Sequence, residues 1–147
     1  MKKILFSVTS IILILCLFSS CGGNRVVDIV STAETVIVKG EVVETVEASM
    51  GAFEGKQGDY ITFRFDEEQT FNTVFINEKT TSVRQYNIYA EVDGEFMLIH
   101  TDKLIINENI SVDETTATAL KIEIVNTEIG NDHFIIQGIS AYNIEQK

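Results

Sequence analysis

Apolar and polar residues alternate with a period of two along much of this chain. Ile61, Phe63 and Phe65 share one face of an extended segment while Tyr60, Thr62 and Arg64 share the other, the pattern of a strand with one buried side. Asp66, Glu67 and Glu68 predict a turn into the next apolar run, residues 71–76. Tyr86, Ile88, Ala90 and Val92 alternate with Asn87, Tyr89 and Glu91, and Asp93-Gly94 leads at once into residues 95–99. An Asp-Gly pair between two such runs predicts a hairpin, because a two-residue type I′ turn needs positive φ at both central positions. Leu120, Ile122 and Ile124 alternate with Lys121 and Glu123 in a later strand, and residues 135–142 form a closing one.

The connecting segments are less regular. Val26-Val27, Ile29-Val30, Val36-Ile37-Val38 and Val42-Val43 are β-branched runs broken at Ser31-Thr32-Ala33 and Lys39-Gly40, which predicts one or two short opening strands. Leu104-Ile105-Ile106 predicts another short strand, Asn107-Glu108-Asn109 a turn, and residues 113–116 a solvated turn. A single helical turn is expected near Ser49. There is no proline, so glycine is the main punctuation. Neither an internal repeat nor a linker interrupts this order.

The first residues follow a different logic. Met1-Lys2-Lys3 is a short basic start, and residues 4–18 are an apolar run too short and too one-sided in its flanks for a transmembrane helix. Ser19-Ser20-Cys21 then resembles the cleavage site of a bacterial lipoprotein signal, with Phe18 where Leu is usual. The expectation is a signal peptide over residues 1–20, a lipidated Cys21, a flexible tether over 21–25 and one domain over 26–147, anchored by lipid on the exported side of the cell membrane or outer membrane. Cys16 would leave with the signal, so the domain must be stable without disulfides. Taking 20 residues from 147 leaves 127, enough for one domain with a real core. The same cut removes two lysines and no acid, so the net charge of −11 becomes −13. So acidic a surface repels nucleic acid and anionic headgroups; the acids are scattered and serve solubility.

The order of segments carries a family resemblance. GDYITFRFDEEQTFNTVFINE, VRQYNIYAEVDGEF, ATALKIEIVN and IIQGISAY together resemble the discoidin domain, also called the coagulation factor V/VIII type C domain. The likeness is greatest to the accessory module of bacterial α-L-fucosidases, and it covers residues 48–142. It implies an all-β, galactose-binding-like jelly-roll β-sandwich of about eight strands. It also implies that the two chain ends lie at one end of the sandwich and the ligand loops at the other, pointing away from the membrane anchor.

Three loops would then face a ligand. Residues 48–58 hold Phe53 as their only large apolar residue, and the chain has no Trp; Phe53 reads first as a lid over the core and second as a sugar-stacking ring. In the loop of residues 77–82, Glu78, Val83 and Tyr86 match family positions, but the loop is short and Ser82 stands where the family has a basic residue. Arg84 is the nearest cation; it reads first as a strand residue paired with an acid, second as a planar fork for sugar hydroxyls. Residues 126–133 end at Phe134, and His133-Phe134 sets a hydrogen-bonding ring beside an aromatic face, as a pyranose requires. Against that, Phe134 is also where the last strand's core would begin.

Metal and catalytic chemistry are poorly represented. His100, beside Thr101 and Asp102, reads as a hydrogen-bonded surface residue, and neither it nor His133 has metal-ligand spacing. Gly138 occupies a position where some relatives supply a carboxylate to structural Ca²⁺, a cation that needs six to eight oxygens. No metal or other cofactor is expected. Glycoside hydrolysis needs two acids in a shaped cleft, for which a small sandwich with short loops has little material. The expectation is a non-catalytic, surface-anchored carbohydrate-binding module that holds glycans weakly. The alternative is a structural or protein-binding domain of the cell envelope.

Overall fold

The computed structural model describes residues 26–43 and 53–145. The expected signal peptide, Cys21, the tether and the helical turn near Ser49 lie outside the described residues. A 3-10 helix over Ile29–Thr32 precedes eight strands: β1 Thr35–Val38, β2 Glu41–Val43, β3 Phe53–Lys56, β4 Tyr60–Glu78, β5 Val83–Val92, β6 Glu95–Asp102, β7 Asn109–Thr127 and β8 His133–Tyr142. The all-β expectation and its strand number hold.

Every pairing is antiparallel. The first half of β4 lies between β1 and the second half of β7, while its second half lies between the first half of β7 and β8. β4 and β7 therefore pass from one layer of a sandwich into the other. One layer runs β2-β1-β4-β7-β5-β6, and β8 with β3 completes the second. Phe63, Ile88 and Ile122 from the first layer join Val74, Phe134 and Ile136 from the second in one buried core. Burying each such side chain contributes about 1.5–3 kcal/mol.

Three expectations are corrected by this geometry. Asp66, Glu67 and Glu68 make no turn; they are exposed within β4, where the register with β7 shifts between Arg64 and Gln69. Residues 113–116 belong to β7, opposite a second shift between Phe71 and Thr73. Both acidic stretches are bulges on long strands that bend between layers, and bulges re-aim a strand without ending it. Leu104-Ile105-Ile106 is a loop, with only Ile105 buried. The Val36 and Val42 runs do form two strands, but Ile29-Val30 is helical.

The Asp93-Gly94 hairpin is present, with φ of 52° and 83° and Val92 opposite Glu95. Lys39-Gly40 makes a second two-residue hairpin, φ 53° and 86°. At the opposite end of β8 from His133, Asp28 Oδ1 accepts from Val30 N and from Ala141 N, each at 3.1 Å. Residues 28 and 141 thus meet at one end of the sandwich. The 79–82 and 128–132 loops lie at the other, where β4 and β7 finish and β5 and β8 begin. On the outer face of the first layer Lys121 Nζ stands 4.2 Å from the centre of the Tyr89 ring and 4.8 Å from that of Phe96, so these rings are already engaged by a cation of the chain itself.

Candidate functional site

The three loops named from sequence do converge. Register places Lys56 of β3 beside His133 of β8, and Gln57 N donates to Asp132 O at 3.3 Å. The 79–82 loop is laced to the same strand: Lys79 N donates to Ile135 O at 2.8 Å, Ser82 Oγ to His133 O at 2.7 Å, and Ile135 N to Thr80 Oγ1 at 3.1 Å. Glu128 N donates to Ser82 O at 2.8 Å, joining the third loop.

Within this cluster the residues divide sharply between inside and outside. Glu78 is only 3% exposed. Its Oε1 accepts from Ser82 N at 2.6 Å, Val83 N at 3.1 Å, Thr80 Oγ1 at 2.8 Å and Ser82 Oγ at 3.2 Å. A carboxylate spent on two buried backbone donors shapes the loop; that oxygen faces inward. Phe134 is fully buried and Phe53 nearly so, their rings edge to face with centroids 5.1 Å apart. Phe53 is therefore the core lid of its first reading, and neither ring presents a face to a sugar. The reason is register: Phe134 alternates in phase with Ile136 and Phe53 sits directly opposite Ile136.

Gly55 completes this packing. A Cβ there would lie 2.5 Å from Phe134 Cζ and 2.9 Å from Asp59 Oδ2. Gly55→Ala should thus lower stability by about 1–3 kcal/mol through overpacking. An unchanged urea midpoint would contradict the contact.

The outward groups are Arg84, Glu128, Lys56, Asp132 and His133. Arg84 Nη2 lies 3.0 Å from Glu128 Oε1, and its Nη1 donates to Thr81 O at 2.8 Å and Val83 O at 3.0 Å. It is the acid-paired strand residue of its first reading, with about a third of its side chain still open. Lys56 Nζ lies 3.7 Å and His133 Nε2 3.6 Å from the Asp132 carboxylate. Ile129, between these pairs in sequence, is fully exposed. Sequence reasoning missed Ile129 because a lone aliphatic residue at a loop tip carries no pattern.

His100 departs from expectation: its Nε2 is buried without a hydrogen-bond partner. Its ring lies 5.9 Å from that of Tyr86. Among the described residues no group of three or more His, Cys, Asp or Glu side chains could hold a metal ion.

No family model and no curated protein matches the chain. Solved structures do. A family 32 carbohydrate-binding module from Streptococcus pneumoniae EndoD superposes with a TM-score of 0.65 at 14% identity, covering 80% of this chain and 100% of that one. The CBM32 of AlyQ, in complex with 4,5-unsaturated mannuronic acid, gives 0.60 at 16% identity over 76% and 96%. A putative α-L-fucosidase from Bacteroides thetaiotaomicron gives 0.55 at 18% identity; the match covers 72% of this chain and 28% of that one. The chain has the discoidin-type, galactose-binding-like β-sandwich fold of these modules.

Proposed function

We propose that this chain, with its discoidin-type fold, is a surface-anchored bacterial lipoprotein whose domain is a non-catalytic carbohydrate-binding module. Lipid on Cys21 would hold it on the exported side of the cell membrane or outer membrane, with the 79–82 and 128–132 loops facing outward. The observation that carries the binding reading is the row of exposed acid–base pairs, Arg84 with Glu128 and both Lys56 and His133 with Asp132. A sugar hydroxyl both donates and accepts, so a side-by-side cation and carboxylate is the pair it needs. Exposed ion pairs contribute little to stability and open readily for a ligand. Ile129 replaces the buried rings as the apolar contact. The likeness to carbohydrate-binding modules supports the same reading.

With no exposed aromatic platform among the described residues, the affinity is near millimolar, about −4 kcal/mol. The full chain, in a detergent without sugar headgroups, is titrated with galactose-, fucose- and N-acetylhexosamine-containing oligosaccharides. Binding that weakens about tenfold in Arg84→Ala supports the site. Absence of any response at about 10 mM removes the glycan reading and leaves the second one, protein binding in the envelope. That second reading has its own support in β6, an edge strand with Met97 and Leu98 more than half exposed.

A further inference from the structure

Beside the 79–82 loop, on the far side of Glu78, lies a cavity of about 220 Å³. Asn107 joins the two regions, accepting Glu78 N on Oδ1 at 2.8 Å. The cavity is lined by Ile76, Tyr86 and His100, and residues 104–108 form one wall. The volume is several times the roughly 30 Å³ share of a water molecule and below the ~300 Å³ of a drug-sized site. One small ring fits it.

The lining is chemically uneven. His100 Nε2 is buried without a hydrogen-bond partner, and a buried polar atom left alone costs about 1–3 kcal/mol. Burial, and secondarily the Asp102 carboxylate, push the Tyr86 phenol up to about 12, so its hydroxyl stays neutral. Asp102 and Glu108 line the cavity and neither Lys nor Arg does. In a chain of net charge −11 that lining repels anions and favours a positive group. Leu104 and Ile106, about half and two-thirds exposed, give the cavity an aliphatic wall for the apolar side of a ring.

We infer that this cavity is a second binding site, separate from the exposed ion pairs of the 128–132 loop, and that it takes a single amino-sugar unit. The ammonium pairs with Asp102 and the aliphatic wall covers the ring's C–H face, while the His100 ring, which lines the cavity with its Nε2 sealed from it, reports the bound unit. The site acts by binding alone.

The chain's two histidines make the test direct, because His100 reports this cavity and His133 the other loop site. The full chain, labelled with ¹⁵N in histidine and held at constant pH in a detergent without sugar headgroups, is titrated with glucosamine, N-acetylglucosamine and glucuronate. Imidazole signals are assigned with His100→Gln and His133→Gln. The expected result is a saturable shift of the His100 signals by glucosamine at or below about 20 mM, with His133 unmoved and N-acetylglucosamine about tenfold weaker. Asp102→Asn, whose amide oxygen still accepts from Lys103 N, should erase the preference for the amine while leaving the fold intact. A His100 signal that ignores glucosamine, or that responds equally to glucuronate or N-acetylglucosamine, overturns the inference. A shift confined to His133 also overturns it, while supporting the loop site.

Discussion

Phe134→Ala is expected to lower the unfolding free energy by about 3–5 kcal/mol, the range for a fully buried aromatic ring. The ring has no exposure, meets Phe53 edge to face, and occupies the space against which Gly55 is fitted. Little can collapse into the void, because the neighbouring wall is the backbone of β3. Urea unfolding of the full chain followed by circular dichroism measures the loss; one under about 1 kcal/mol would show that the ring is not part of the core. The result also separates two roles. A sugar platform would lose binding at unchanged stability, whereas a core ring loses stability first.

Glu78→Ala should cost about 3 kcal/mol, from the backbone N–H groups of Ser82 and Val83 left without their acceptor at about 1–3 kcal/mol for each unsatisfied buried group. Glu78→Gln keeps an acceptor oxygen and gives up only the charge assistance, so it should lose about 1 kcal/mol. Equal and small losses in the two variants would show that the 79–82 loop holds its shape without this carboxylate. Backbone amide exchange at Ser82 and Val83 gives a local check, since both should accelerate in the alanine variant.

The two hairpins show how much of the fold a sequence states. Asp93-Gly94 was legible because its turn chemistry is local: both residue types tolerate positive φ. Lys39-Gly40 adopts the same geometry, yet lysine carries no such signal, and only pairing of β1 with β2 forces it there. The continuity of β4 was hidden because an exposed acidic bulge and a polar turn have the same composition. The apolar phase gives no sign of it, since Phe63, Phe65 and Phe71 are all odd; the phase changes only between Phe71 and Val74, at the second register shift. Such a change of phase is what a bulge does to the faces of a strand.

The candidate site divided along similar lines. The core reading of Phe134 was available from its alternation with Ile136. Burial of Glu78 was not, since an acid at a strand end ordinarily lies in water and its donors become visible only when the loop is closed. Arg84 meets Glu128 because β5 and β7 align Val83 with Thr127, a long-range register that composition does not contain.

The inward bracing of the 79–82 loop bears on how such a module diversifies. Its shape is set by Glu78, Thr80 and Ser82 bonding to one another and to β8, while Lys79 and Thr81 between them are exposed. Alternate positions thus answer to different demands, one set to folding and the other to whatever lies outside. Exchanging the exposed Lys79 and Ile129 rewrites the recognition surface without disturbing the scaffold and would explore new ligands while retaining the fold's stability, whereas Thr81 is held at a φ of 55° and Asn131 Oδ1 accepts from His133 N.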